Sequence, residues 1–267
     1  MHSDIAQVSA GVMMRDVRFF SAALEREMPY RAFLPEAIEP GRRFPVVYLL
    51  HGHKMDFHDW SINLDLPKYA SQGLILVTPE GHSSFYVNAA RTRRDKYEDY
   101  VAHDLVKDVE SRFPALSGRA HRAIMGISMG GFGALVKALR HPEMYAIACG
   151  LSSALDVPER RYSPKSALQW WKLRAIFGPM GSTERAKRDP FHLAKMVPPN
   201  AVPPLYLTAG ENEFQLKFNR RFVALLAERG IAHEFHIGRG GHDWNEWAAQ
   251  IPGCFERMMK RLGVSET

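Results

Sequence analysis

Continuous apolar runs of strand length recur along the chain. The first is PVVYLL at 45–50, and similar runs are LILVTP, HRAIMGIS, YAIACGLSS and PPLYLTAG. Runs of this length without polar alternation are typical of strands that are covered on both faces. A last strand, HEFHIG, is predicted just before the loop that carries His242.

Helical patterns separate several of these runs. In YEDYVAHDLVKDVESRF, four residues fall near one helical face: Tyr100, Leu105, Val109 and Phe113. FNRRFVALLAERG predicts a second helix that ends at Gly230. At the start, VRFFSAAL and PYRAFLP predict two antiparallel strands joined by a short turn. The alternation predicts an α/β fold, in which a mostly parallel sheet carries helices on both faces and antiparallel strands near its N-terminus.

The length of 267 residues predicts a single domain over 1–267, because α/β folds of this size form around one sheet. One interval, 156–200, breaks the alternation and is rich in Trp, Pro, Arg and Lys. Ligands of α/β folds bind beyond the carboxyl ends of the strands. We therefore expect this interval to form a short cap segment over a site at that edge, with Trp171 among its substrate-binding residues.

Composition and charge narrow the class of function. Hydrophobic residues make up 46% of the chain and charged residues 24%, which is ordinary for a soluble globular protein. The formal net charge of +6 comes from Lys and Arg scattered among acids, and even the basic run at 91–94 is followed by Asp95. A solvated face is expected there, and neither a basic stripe nor a known module predicts nucleic-acid binding.

The cysteines and the apolar runs bear on the compartment. Two cysteines, Cys149 and Cys254, do not predict a disulfide framework. The sequence contains no run of eighteen apolar residues, so no membrane span is predicted. The first residues lack the basic segment followed by an apolar core that is typical of a signal peptide. We expect a cytoplasmic protein that acts on a small molecule without a cofactor. The sequence does not decide between a monomer and a homo-oligomer.

The pentapeptide GISMG at 126–130 ends one predicted strand and precedes the helical segment FGALVKALR. A G-x-S-x-G sequence between a strand and a helix is typical of a nucleophile elbow, a sharp turn that exposes the serine hydroxyl above the sheet. Ser152 and Ser153 lack this glycine frame. We therefore predict Ser128 as a catalytic nucleophile.

A serine hydroxyl needs a base to accept its proton and an acid to orient that base, in the order serine, acid, histidine for this type of turn. His242 follows the last predicted strand in GRGGHD and is the expected base. Three carboxylates follow nearby strands: Glu211, Glu213 and Asp156. Glu213 is favoured as the acid, with the other two left open. The alternative for His242 is a structural role as a helix cap.

The tetrahedral intermediate of acyl transfer needs N–H donors for its oxyanion. The N–H of Met129, directly after the nucleophile, is one expected donor. Gly52 permits close approach of the loop after PVVYLL, and the N–H of His53 in that loop is the second. The same loop offers a metal-dependent alternative, because imidazole and carboxylate groups bind zinc in hydrolases. Its candidate ligands are His51, His53, Asp56 and His58, with no downstream ligand set in view.

Several separated motifs resemble the putative-esterase family, which includes esterase D, S-formylglutathione hydrolase, bacterial tributyrin-type esterases and the mycolyltransferases. In chain order they are SAALEREMPYRAFLP, YLLHG, SSFYVN at 83–88, GISMGGFGA, DPF at 189–191, and GGHDW. The resemblance implies an α/β-hydrolase fold with Ser128 as nucleophile, His242 as base, and the N–H groups of His53 and Met129 as the oxyanion hole. Most relatives have aspartate where this chain has Glu213 in GENEF.

The resemblance also implies a reaction, namely hydrolysis of short-chain carboxylic or thiol esters through an acyl-serine intermediate. S-formylglutathione hydrolysis and acyl transfer are alternatives within the same fold, and a non-catalytic binding module stays open because fold alone does not establish function. Substrate contacts are expected from His51, Phe85 and Tyr86, besides the tryptophan of the cap. WSIN and SSFY also occur in the mycolyltransferases, but His51 stands where those enzymes have aspartate, which favours an esterase.

Overall fold

The computed structural model describes residues 5–9, 11–36, 41–160 and 167–264, and these residues form a sheet of nine strands. In chain order the strands are β1 (Ile5–Ser9), β2 (Val12–Ser21), β3 (Arg26–Pro35), β4 (Val46–Leu50), β5 (Ile75–Pro79), β6 (Arg122–Ile127), β7 (Ile147–Leu151), β8 (Leu205–Gly210) and β9 (His233–Gly238). Their spatial order is β1-β2-β3-β5-β4-β6-β7-β8-β9.

The pairing directions divide the sheet into two parts. Strands β4 to β9 pair in parallel, whereas β1 with β2, β2 with β3, and β3 with β5 pair antiparallel. The predicted mostly parallel sheet with antiparallel N-terminal strands is confirmed. Strand β1 was not predicted, because five residues of mixed polarity at a sheet edge lack the continuous apolar pattern of the central strands.

Helices connect the strands. They are α1 (Asp59–Asn63), α2 (Leu66–Ala70), α3 (Tyr97–Asp99), α4 (Val106–Arg112), α5 (Met129–Arg140), α6 (Ala167–Phe177), α7 (Thr183–Ala186), α8 (Pro190–Met196), α9 (Leu216–Arg229) and α10 (Trp244–Leu262). The predicted helix over 97–113 is interrupted, because a π-helical segment, Tyr100–Leu105, lies between α3 and α4. Helix α9 ends as predicted at Gly230, which has a left-handed φ of 68°.

Strand β4 shows how the sheet is covered on both faces. All five of its residues are buried, with Tyr48 in the core beneath α5 and Val47 in the core beneath α2 and α10. Because both faces are covered, the strand is apolar without alternation. Helix α5 crosses the centre of the sheet, where every residue from Met129 to Leu139 is buried.

The interval 156–200 contains a 3-10 turn, Val157–Glu159, followed by α6, α7 and α8, while residues 161–166 lie outside the described part. It packs against the loop after β5. The N–H of Ala90 donates to the carbonyl oxygen of Ile176 over 2.8 Å, and the Phe85 and Phe177 ring centroids are 5.5 Å apart. Its function as a cap stays a prediction.

Among the residues described, no helix combines the length and the hydropathy that crossing a membrane requires.

Candidate active site

Ser128 lies at the sharp turn between β6 and α5. Its backbone has φ 53° and ψ −109°, a conformation that costs a non-glycine residue about 1–3 kcal/mol and persists only where the surroundings impose it. Two glycines allow the neighbouring backbone to pack closely enough to impose this conformation. A Cβ on Gly126 would lie 2.2 Å from the carbonyl carbon of Gly130, and one on Gly130 would lie 2.0 Å from the carbonyl oxygen of Leu50. The G-x-S-x-G pattern therefore has a steric cause, namely the close packing of strand, turn and helix.

His242 lies between Ser128 and Glu213, from which it is separated by 114 and 29 residues of sequence. Its Nε2 is 2.9 Å from the Ser128 Oγ, and its Nδ1 is 2.9 Å from the Glu213 Oε2. A carboxylate only accepts, so Nδ1 carries the proton and Nε2 is left to accept from the serine hydroxyl. The three side chains thus form one hydrogen-bonded chain in the order that proton transfer requires.

The loops after β8 and β9 meet closely enough to bring Glu213 to His242. A Cβ on Gly210 would lie 2.4 Å from the carbonyl oxygen of Gly240, so this approach needs glycine. The side chain of Asn212 donates to the carbonyl oxygen of Arg239 over 2.9 Å, which ties the two loops together. The Glu213 side chain is fully buried, and its Oε1 has no hydrogen-bond partner within the described residues.

The other acidic residues near this loop have different partners. The Asp156 Oδ2 accepts a hydrogen bond from the Arg160 Nε at 2.5 Å, and Glu211 is exposed. Asp243 is the N-cap of α10, because its Oδ1 accepts from the N–H groups of the second and third helical residues at 2.9 and 3.2 Å. Glu213 is therefore the carboxylate that the structure brings to His242. The helix is capped by Asp243, so the histidine is not needed as a cap.

The loop after β4 passes directly beside Ser128, since a Cβ on Gly52 would lie 3.7 Å from the Cβ of Ser128. The N–H of Met129 is the first of α5 and has no intrahelical acceptor. Within the described part of the chain, the N–H of His53 also lacks an acceptor, although its neighbour Gly52 is bonded through both its N–H and its carbonyl oxygen. Neither expected oxyanion donor is thus used in a hydrogen bond within the described residues.

The electrostatic surroundings of His53 are positive. Burial lowers the pKa of its imidazole below the usual value, and the charges of Lys54, Arg160 and Lys172 lower it further. Burial penalises charge of either sign, but the three nearby cations attract a negative charge. The N–H of His53 therefore lies where a developing oxyanion would be stabilised.

Two residues expected to contact substrate have no exposed surface. His51 is completely buried, and its Nε2 accepts from the N–H of Gly81 at 2.9 Å. Tyr86 is also completely buried, and its hydroxyl donates to the carbonyl oxygen of His51 over 3.2 Å. Neither side chain presents a surface to a substrate in this structure. Their contacts support the loop after β4 instead.

Phe85 and Trp171, the other expected substrate contacts, lie further along the same edge. Phe85 is buried, with its ring stacked on His53 at 6.2 Å and edge-on to Phe132 at 5.7 Å. It therefore packs behind the loop after β4, which contains His53. Trp171 is exposed on α6, where its ring lies 4.9 Å from that of Trp170. Its contact with substrate stays a prediction.

The four candidate metal ligands do not come together. Both ring nitrogens of His51 are engaged, Nδ1 with the carbonyl oxygen of Gly52 at 2.8 Å and Nε2 with a backbone N–H. The His58 Nδ1 is 3.1 Å from the Asp56 Oδ1, a local contact within one turn. Among the described residues, no group of three or more His, Cys, Asp or Glu side chains is arranged to hold a metal ion.

Comparisons with known proteins agree with this architecture. A sequence model of the family described as "Putative esterase" matches residues 21–258. The chain is 26% identical over 260 residues to the acetyl esterase of Caldicellulosiruptor saccharolyticus, covering 91% of this chain and 97% of the relative. It is 27% identical over 259 residues to the diacylglycerol acyltransferase/mycolyltransferase Ag85B of Mycobacterium avium, covering 84% of this chain and 78% of that relative.

A solved structure, that of an S-formylglutathione hydrolase from Agrobacterium tumefaciens, matches with a TM-score of 0.83 at 20% identity. The match covers 97% of this chain and 98% of that one, which shows a shared fold. Since the family model spans nearly the whole chain and the structures agree, this α/β-hydrolase belongs to the putative-esterase family.

Proposed function

We propose that the protein is a serine esterase that hydrolyses short-chain carboxylic or thiol esters through an acyl-serine intermediate. One observation carries the proposal, namely the chain of two 2.9 Å hydrogen bonds from Ser128 through His242 to Glu213. Beside Ser128 lie the N–H groups of His53 and Met129, neither of which has an acceptor among the described residues. This arrangement at one edge of the sheet supports the roles of nucleophile, base, acid and oxyanion donors for these groups.

In the first half of the reaction, the Ser128 Oγ attacks the ester carbonyl carbon while the His242 Nε2 accepts the hydroxyl proton. The buried carboxylate of Glu213 stabilises the imidazolium that forms. The carbonyl oxygen becomes an oxyanion and accepts from the N–H groups of His53 and Met129. When the intermediate collapses, the imidazolium donates its proton to the leaving alcohol or thiol, and the acyl group stays on the serine.

In the second half, water enters and loses its proton to the His242 Nε2 as its oxygen attacks the acyl carbon. The same N–H donors stabilise the second oxyanion. Collapse breaks the bond to Ser128, whose Oγ takes the proton back from the histidine. No step requires a group other than these side chains, the two backbone N–H groups and water.

The acyl group is proposed to be short because two relatives are named for small acyl groups, an acetyl esterase and an S-formylglutathione hydrolase. Acyl transfer to an alcohol is the second candidate, favoured by the similarity to Ag85B. A series of p-nitrophenyl esters of increasing chain length, run beside S-formylglutathione, would identify the acyl preference. Adding an alcohol acceptor and measuring the ester formed would separate transfer from hydrolysis.

Hydrolysis of p-nitrophenyl acetate tests the proposal directly. We expect turnover that Ser128→Ala abolishes, that a chelator spares, and that a fluorophosphonate blocks by labelling Ser128. Ser111→Ala is a matched control, because this exposed serine bonds within its own helical turn. Activity that survives Ser128→Ala and disappears on chelation would overturn the proposal in favour of metal-dependent hydrolysis.

A further inference from the structure

A buried lysine lies behind the active site without a part in the proposed reaction. Lys137 on α5 has no exposed surface, and its Nζ donates to the backbone carbonyl oxygen of Tyr86. Within the described residues it forms no ion pair with a carboxylate, although the buried Glu98 acts on it through space. Burying an ammonium with a neutral partner is costly, which makes its contact with Tyr86 worth explaining.

The loop that Lys137 holds is strained. Phe85 and Tyr86 both have a φ of 56°, in the left-handed region that bulky residues rarely adopt. The Tyr86 ring fits against two glycines, because a Cβ on Gly81 or Gly133 would come within 2.2 or 2.7 Å of it. The backbone of Tyr86 is therefore fixed by the ammonium and its ring by close packing.

Tyr86 in turn contacts the loop after β4, which carries the N–H of His53. Its hydroxyl donates to the carbonyl oxygen of His51, while the next N–H, that of Gly52, donates to the Met55 Sδ at 3.3 Å. The carbonyl oxygen of Gly52 lies 2.8 Å from the His51 Nδ1. The Gly52 carbonyl and the His53 N–H belong to one peptide group, and in a trans peptide these two groups point in opposite directions. Fixing the Gly52 carbonyl therefore sets the direction of the His53 N–H.

We propose that Lys137 is a positioning residue for the oxyanion hole, acting through Tyr86 on the loop that carries the N–H of His53. The inference rests on the proposed function, because it assumes that this N–H binds the oxyanion. Burial lowers the pKa of Lys137 to about 8 against the opposing effect of Glu98, so the ammonium is the main form at pH 7. A charge-assisted bond to the Tyr86 carbonyl is thus available under ordinary conditions.

Three variants and a control test this path. Tyr86→Phe removes the hydroxyl and keeps the ring, Lys137→Met removes the ammonium and keeps the stem, and the third variant combines both. Tyr48→Phe is the control, because this equally buried hydroxyl has no partner within the described residues. The readouts are kcat and KM for p-nitrophenyl acetate, and the inhibition constant of an alkyl trifluoromethyl ketone. The serine adds to that ketone's carbonyl, and the resulting oxyanion needs the same N–H donors.

Each single variant should lower kcat by about tenfold to a hundredfold with KM nearly unchanged, because a misaligned donor acts mainly in the transition state. The inhibition constant of the ketone should rise by a similar factor. The kcat of the double variant should be close to that of the less active single variant, since both changes break one path. Tyr48→Phe should match the wild type.

Wild-type kcat in folded Tyr86→Phe would overturn the inference, and so would a double variant whose loss is the product of the two single losses. Where Lys137→Met does not fold, Tyr86→Phe decides alone. Ser128→Ala in the same assay separates this inference from the proposed function. An active Ser128→Ala enzyme contradicts the function itself, whereas an inactive one beside unaffected Tyr86 and Lys137 variants contradicts only the positioning path.

Discussion

Replacing Glu213 with glutamine keeps the shape of the side chain and removes its charge. The carboxylate is fully buried, 2.9 Å from the His242 Nδ1, and its other oxygen has no partner within the described residues. Its negative charge is therefore directed mainly at the histidine. Loss of the comparable acid in a serine protease lowers kcat about 10⁴-fold, or about 5 kcal/mol of transition-state stabilisation, and we expect a loss approaching that size.

Glu213→Asp is the graded version of this change. It keeps the charge but withdraws the carboxylate by about one C–C bond, or about 1.5 Å, which stretches a 2.9 Å hydrogen bond beyond its effective range unless the loop shifts. Its kcat should lie between those of the wild type and the glutamine variant. Glu211→Gln and Asp156→Asn are the controls, because the first residue is exposed and the second is paired with Arg160.

The assay is hydrolysis of p-nitrophenyl acetate, with the concentration of folded enzyme checked by circular dichroism. KM should change little in each Glu213 variant, because the acid acts on the histidine and does not touch the ester. The reasoning is refuted if Glu213→Gln turns over near the wild-type rate while Asp156→Asn is inactive and folded. The functional acid would then lie after β7.

Three further predictions concern stability. Gly130→Ala should lower the free energy of unfolding, measured in urea, by more than about 4 kcal/mol, because its Cβ would overlap a strand carbonyl. Gly118→Ala should lower it by about 1–3 kcal/mol, because Gly118 has a φ of 93° but open space around it. Equal losses would contradict the steric argument. Asp243→Ala should cost about 1 kcal/mol through loss of the α10 cap, visible as a lower Tm. Burial opposes ionisation of Glu98, but the bond to His141 and nearby cations lower its pKa from 4.5 to about 2. Its stabilisation is therefore present above pH 4.5 and lost as the pH falls toward 2, and Glu98→Gln should flatten the free energy of unfolding across that window.

Strand positions and the turn at Ser128 could be predicted because they depend on local properties. An interior strand such as β4 is buried on both faces, so its apolar run is visible in a short window of sequence. The turn needs glycine at 126 and 130 for steric reasons, and those glycines are equally visible. The family resemblance rested on the same local motifs, and the match over 21–258 confirmed it.

The acidic partner of His242 could not be chosen from the sequence pattern alone. Glu211, Glu213 and Asp156 all follow strands that end at the same edge of the sheet, so the pattern left three candidates. The choice depends on how the loops after β8 and β9 pack, with Gly210 against the backbone of Gly240. That contact joins segments 30 residues apart, and no local pattern encodes it.

The burial of other residues also depends on contacts between distant segments. SSFY at 83–86 suggested contact with substrate, yet the Tyr86 ring lies against glycines from β5's loop and from α5. Lys137, in FGALVKALR, resembles an ordinary solvated lysine. The sequence determined which residues form the interior strands and the turn at Ser128, because those depend on a few neighbours. Tertiary structure alone decided which polar groups lost their water and which partners they found, because helix α5 is covered on all sides only once the sheet has assembled.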